Sequence, residues 1–205
     1  MKLQVLLALP FLQTNPIGYF SKSFELSRQF LFKWTVNWRF IREETFLSRE
    51  FSLTLLVLHV SLLAIFAAIW VKPSGTNMLR FLQNVIRGRQ RTVTLSKSYI
   101  LASILSSLVV GLTCARSLHY QFYAYLALAT PVLLWFGRVH PVLILSAWAI
   151  QEWAWNVFPS TSPSSKAVIS ALFLQVIGIL FGLNEIVTER GRAVRRRTAH
   201  PARPK

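Results

Sequence analysis

The sequence contains no aspartate. Its acids are seven glutamates, set against 23 lysines and arginines, for a formal net charge of +16 over 205 residues. A single cysteine, Cys114, excludes an intrachain disulfide and any cysteine-based zinc set. The four histidines, His59, His119, His140 and His200, are scattered, so the sequence calls for no metal and no other cofactor. No asparagine is followed two residues on by serine or threonine, so there is no N-glycosylation acceptor.

What is present is apolar. Hydrophobic residues make up 53% and the mean hydropathy is +0.44. Long apolar spans joined by basic loops account for both the hydropathy and the charge. A strongly basic chain can bind nucleic acid. Here the cations lie between lipid-length apolar runs, which points to membrane lipids as partners and away from nucleic acid.

Five runs are long enough to read as spans, at 51–71, 98–115, 120–137, 139–158 and 167–187. Together they predict an all-α, polytopic transmembrane helical bundle. Pro131 is placed to kink the third span. Serines and glycines in the second permit close helix contact. Trp148, Trp153 and Trp155 gather toward the end of the fourth like an interfacial belt. Residues 72–97 read as a polar cytosolic connector with six Lys/Arg, and 189–205 as a basic, disordered tail. Residues 3–12 are apolar but about half the roughly twenty residues a span needs. Lys2 and this run resemble a signal peptide superficially, yet the small-residue cleavage site is missing and Pro10 interrupts. Residues 1–12 therefore read as the far end of a transmembrane helix whose beginning is absent, followed by an amphipathic region over 13–50.

The organising stretch is 29–40, QFLFKWTVNWRF. Phe20, Phe24, Leu31, Trp34, Trp38 and Ile41 fall on one stripe at helical spacing, with Lys22, Glu25, Gln29 and Lys33 opposite. The pattern predicts either an interfacial amphipathic helix or a bundle-capping helix with a solvated back.

Residues 11–40 (FLQTNPIGYFSKSFELSRQFLFKWTVNWRF), 116–123 (RSLHYQFY) and 155–161 (WNVFPST) resemble, in order, the dolichyl-phosphate-mannose-dependent α-1,3-mannosyltransferases of the endoplasmic reticulum. The resemblance runs from about residue 5 to 165. It implies part of a GT-C-type membrane glycosyltransferase, specifically the C-terminal half of an enzyme about twice as long. It implies dolichyl phosphate mannose as donor and the five-mannose dolichyl-pyrophosphate oligosaccharide (Man5GlcNAc2-PP-dolichol) as acceptor. A β-linked donor and an α-linked product make the transfer one inverting displacement. The missing N-terminal half is then a further partner. The alternative is a non-catalytic bundle, transporter-like or scaffold, derived from this half.

Cations can be counted on alternate sides of the five spans. The side with the connector and tail receives fourteen and the other side eight. The positive-inside rule then places the connector and tail in the cytosol and the three motifs in the lumen.

Transfer from a lipid-phosphate sugar needs a base, donors for the departing phosphate, and a groove that aligns two lipids. Arg116 and His119 occupy a short turn between the second and third spans, with Tyr120 beside them. They can stabilise phosphate, or Arg116 can anchor a helix end and His119 cap one. Arg28, Lys33, Arg39 and Arg42 are second contacts for the acceptor pyrophosphate, or solvated cations. Trp34, Trp38, Trp153 and Trp155 can serve as sugar platforms or as an interfacial belt. Asn37 and Asn156 can bind sugar hydroxyls or cap helices. Glu152 is an acid within a luminal half-span, functional by default or paired with Arg116. The resemblance assigns the catalytic acid to a first luminal loop outside these residues. No base is therefore assigned, and the 205 residues alone are expected to be inactive.

Overall fold

The computed structural model describes residues 2–23, 31–89 and 95–199, with side chains from residue 5 to 183. The chain divides into two units, Met1–Phe30 and Leu31–Lys205.

In the first unit, α1 (Lys2–Thr14) contains Pro10 and is followed directly by α2 (Pro16–Ser23). Asn15 makes the corner. Its side-chain oxygen accepts from the Gly18 N–H at 2.8 Å, and Pro16 opens α2 where a missing N–H costs nothing. Phe11 and Tyr19 stack across the corner, ring centroids 6.2 Å apart.

The second unit begins with a 3-10 turn, Phe32–Trp34, and a short helix α3, Glu43–Leu47. Over residues 31–40, the described part of the 29–40 stretch, the expected amphipathic helix is not what forms; Phe24, Glu25 and Gln29 lie outside the described residues. Among the described residues, 35–42 carry no regular helix. Thr35 is extended, and the backbone N–H and carbonyl of the β-branched Val36 bond to Leu118 and Ser160, far along the chain, instead of to the next helical turn. Helical spacing of the aromatics counted positions but could not register those long-range partners.

Then come α4 (Arg49–Val71), α5 (Met78–Ile86), α6 (Lys97–Thr113), α7 (Tyr123–Phe136), α8 (Pro141–Asn156) and α9 (Ser162–Ala199). Ser48, Asn77 and Ser96 cap the starts of α4, α5 and α6 with side-chain oxygens. Pro141 opens α8. The stretch that reads as a third span starts late, because Tyr120–Phe122 forms a 3-10 turn before α7. The connector is not uniformly polar loop, since α5 lies within it. The tail is not disordered throughout either. α9 continues to Ala199, through a segment rich in Arg, Ala and Glu, which are good helix formers.

α9 is the central element. It packs on α6, α7 and α8 and touches α4. Val168, Leu172, Val176, Ile179 and Leu183 form its buried stripe, at three- and four-residue spacing. Gly178 and Gly182 bring it against the end of α7. A Cβ on Gly182 would stand 2.2 Å from the Phe136 carbonyl oxygen, so only glycine fits that approach.

The bundle has an apolar core but also an extensive apolar outer surface. Thr130, Gln151 and Gln175 are fully buried, while Leu56, Val60, Leu128, Leu145, Leu174 and Phe181 are exposed. Water does not tolerate such an outer surface, but lipid does. The 23 residues of α4 extend about 34 Å, enough for a hydrocarbon core of about 30 Å. α4 and the Ser162–Leu183 part of α9 are each long and apolar enough to cross a membrane.

Candidate functional site

Three distant segments meet at one end of the bundle: the loop 31–42, the turn 114–119 between α6 and α7, and residues 157–165, from the end of α8 into the first turn of α9. Asn37 is the joint. Its amide donates to the Ala115 carbonyl at 2.8 Å, and its oxygen accepts from the Leu118 N–H at 3.0 Å and the Thr35 hydroxyl at 2.7 Å. The Trp38 indole donates to the same Ala115 carbonyl at 2.9 Å. Val36 pairs its N–H with the Leu118 carbonyl at 2.9 Å. Its own carbonyl accepts from the Ser160 hydroxyl at 3.3 Å. The Arg39 N–H donates to the Ser165 hydroxyl at 2.9 Å. The three stretches singled out in the sequence are thus sewn into one surface.

This geometry sorts the sequence-derived residues. Asn37 and Trp38 are buried with their polar groups engaged by protein, and Trp155 is buried too. As placed, all three frame the site and offer little to a ligand. Trp34 and Trp153 are exposed. Arg28 lies outside the described residues. Lys33 sits over the Trp34 ring at 5.8 Å. Arg39 folds back on its own loop, with its guanidinium 4.5 Å from the centre of the Phe32 ring and donating to the Phe32 carbonyl at 3.2 Å. Arg116 donates to the Phe46 carbonyl through two nitrogens, at 2.9 and 3.3 Å, and so ties α3 to the turn. His119 is exposed at the start of the 3-10 turn and makes no side-chain cap bond there.

Tyr120 ties the turn after α6 to the end of α8. Its hydroxyl donates to the Val157 carbonyl at 2.9 Å, and its ring meets Phe158 edge-on. Burial pushes its phenol up. A hydrogen bond from the Ser160 backbone and the nearby Arg39 charge take back part of that shift.

Glu152, on α8, is an acid held at this end by side chains. One carboxylate oxygen accepts from the Tyr123 hydroxyl, and the other accepts from the Asn156 amide at 3.0 Å. Asn156 also caps the helix end by donating to the Glu152 carbonyl at 2.7 Å. Tyr123 stacks on Trp155, centroids 5.8 Å apart, with the Trp155 indole N–H buried and unpartnered. Tyr123, Ser160 and Ser165 were not singled out from the sequence. Tyr123 and Ser160 lie inside the short motifs, but nothing local announces a partner 29 or 124 residues away. The result is a half-exposed carboxylate held by a phenol and an amide, on the bundle end that also carries His119, Arg39 and Arg116. Such a set can hold sugar hydroxyls and an anionic group together.

The family model described as ALG3 protein matches residues 1–165. The Dol-P-Man:Man(5)GlcNAc(2)-PP-Dol alpha-1,3-mannosyltransferase of Neurospora crassa is 49% identical over 193 residues, covering 89% of this chain and 44% of that protein. The mouse protein of the same name is 44% identical, covering 81% of this chain and 39% of its own length. A probable enzyme of that name from Dictyostelium discoideum is 41% identical over 87% of this chain. The chain spans less than half the length of these relatives and matches their C-terminal half. No solved structure matches it.

Proposed function

We propose, because the chain belongs to the ALG3 protein family, that it forms the C-terminal part of a membrane enzyme that moves mannose from dolichyl phosphate mannose to Man5GlcNAc2-PP-dolichol in α-1,3 linkage. The observation that carries this reading is the meeting of loop 31–42, turn 114–119 and segment 157–165 on one end of a lipid-exposed bundle. Lipid-linked donor and acceptor both present their head groups at such an end, with their chains beside the helices.

In this reading the site faces the lumen of the endoplasmic reticulum. The basic connector and tail face the cytosol, which the excess of cations on that side supports. Arg116 and His119 stabilise the departing dolichyl phosphate, and Lys33 and Arg39 serve the acceptor pyrophosphate. Glu152, Tyr123 and Asn156 hold sugar hydroxyls. The 205 residues do not complete the transfer by themselves, and the acid that takes the acceptor proton comes from the other half of the enzyme.

A non-catalytic bundle is the second reading. What favours it is polar burial inside the helices. Thr130 donates to Gln151, whose amide nitrogen is otherwise unpartnered, and Gln175 keeps an unpartnered oxygen. Interior polar groups of this kind also line transport paths. Lipid-linked oligosaccharides from cells lacking the α-1,3-mannosyltransferase separate the two. Co-expression of this chain with the N-terminal half of a relative should convert the five-mannose species to six. Persistent five-mannose species, with both halves inserted and associated, would favour the non-catalytic bundle.

A further inference from the structure

Among the described residues, α5 has an apolar face that is largely exposed. Its sequence is MLRFLQNVI. At 100° per residue, Met78, Leu79, Phe81, Leu82, Val85 and Ile86 fill an arc of about 160°. Arg80, Gln83, Asn84 and the following Arg87 take the opposite side. No residue of α5 is buried, and Ile86 is 84% exposed and Leu79 66%.

Its position and charge identify what covers this face. α4, long enough to cross a membrane, ends at Val71, and a 3-10 turn, Lys72–Ser74, leads through Gly75 in the left-handed region (φ +72°) to the Asn77 cap. α5 therefore starts where the chain leaves the bilayer. No acid occurs between Glu50 and Glu152, while 72–97 carries six Lys/Arg. Arg80, Arg87 and Arg89 are exposed. A helix with one apolar side and a cationic back, beside a membrane crossing, suits an interface whose acyl chains accept the apolar side and whose phosphates accept the cations.

We propose that α5 is an in-plane membrane anchor, lying in the headgroup region of a leaflet that contains anionic phospholipid. It clamps the exit of α4 against that leaflet and sets the depth of the connector.

The test uses the full chain in a Cys114→Ala background, in nanodiscs of phosphatidylcholine with or without phosphatidylserine. A nitroxide is placed singly at Leu82, Gln83 or Ile86, all exposed positions, and collisions with oxygen and a water-soluble nickel chelate are compared. Labels at 82 and 86 should favour oxygen, at a depth of about 5–10 Å below the headgroups, and the label at 83 should favour nickel. Phosphatidylserine should deepen the first two, and Arg80→Gln with Arg87→Gln and Arg89→Gln should remove that dependence. Nickel access at all three positions would overturn the proposal. So would shielding of 82 and 86 from both reagents, the sign of a protein partner or a second copy. Equal depth in both lipids would also overturn it. Amide exchange across 78–86 in the unlabelled chain gives an independent reading. It should slow when phosphatidylserine is added, and exchange unaffected by the lipid would count against the anchor.

Discussion

The side-chain amide of Asn37 donates to the carbonyl of Ala115 at 2.8 Å, across 78 positions of sequence. With the Leu118 N–H on the same side chain at 3.0 Å, this one residue locks the first motif loop onto the turn between α6 and α7.

Asn37→Ala should therefore act through stability. It leaves the buried Leu118 N–H and the buried Thr35 hydroxyl short of an acceptor, each costing about 1–3 kcal/mol, while the Ala115 carbonyl keeps the Trp38 indole. We expect a loss of about 2–3 kcal/mol in detergent unfolding of the folded chain. Trp38→Phe should cost about 0.5–1.5 kcal/mol, because Asn37 still serves the Ala115 carbonyl. Unchanged stability in Asn37→Ala would make the residue a ligand contact instead of a joint.

Glycines on α9 should differ sharply. A Cβ on Gly182 meets the Phe136 carbonyl oxygen at 2.2 Å, whereas one on Gly178 meets a Leu134 methyl at an ordinary 3.7 Å. Gly182→Ala should destabilise by about 1–3 kcal/mol through forced separation of α7 and α9, with Gly178→Ala close to neutral. Equal unfolding midpoints for the two variants would contradict the close approach.

The helices were legible because long apolar runs are a local signal. The run at 51–71 became α4, and those at 98–115, 139–158 and 167–187 contain most of α6, α8 and the buried part of α9. The loop 31–42 was misread as a helix because its aromatics fall at helical spacing for a different reason. Val36 and Trp38 are buried and bonded to partners more than seventy residues away, Leu118 and Ala115. α5 was hidden by averaging, nine residues diluted in a charged connector. The motif stretches pointed to the site, but Glu152 and Tyr123 could be joined only in three dimensions.

Orientation has its own test. Acceptor sequons inserted one at a time should be glycosylated next to Asn156 and near Glu43, and not within the connector or tail. The motive is the fourteen-to-eight division of cations. Glycans on the connector and none near Asn156 would invert the assignment.

Arg116 and His119 should separate in their effects. Arg116 holds the Phe46 carbonyl, so Arg116→Ala at the equivalent position of a full-length relative should lower both stability and transfer. His119 is exposed, and His119→Ala should leave unfolding unchanged. If His119 donates to the leaving phosphate, turnover falls by about a hundredfold, the usual effect of losing one such donor. A folded His119→Ala enzyme with normal turnover would reduce the turn to a helix connector.

The last prediction concerns Glu152. Its carboxylate is held by the Tyr123 hydroxyl on one oxygen and the Asn156 amide on the other, so its place is fixed without a cationic partner. A carboxylate fixed in this way accepts hydrogen bonds from sugar hydroxyls. Glutamine keeps the shape but turns one acceptor into a donor, which would face either Tyr123 or Asn156 and meet a sugar hydroxyl with the wrong group. In cells lacking the α-1,3-mannosyltransferase, this chain alone should leave the five-mannose lipid-linked species in place. Paired with the N-terminal half of a relative it should yield six-mannose species. Glu152→Gln in that pair should cut the conversion by about 10- to 100-fold, the effect of losing one hydrogen bond to a charged group, about 1.5–3 kcal/mol. Tyr123→Phe, which frees the carboxylate but keeps its charge, should cost less. Conversion by the chain alone would mean that it holds its own base, and Glu152 would become the first residue to examine for that role. Unchanged conversion by the Glu152→Gln pair would leave the Tyr123–Glu152–Asn156 set as a brace for the end of α8.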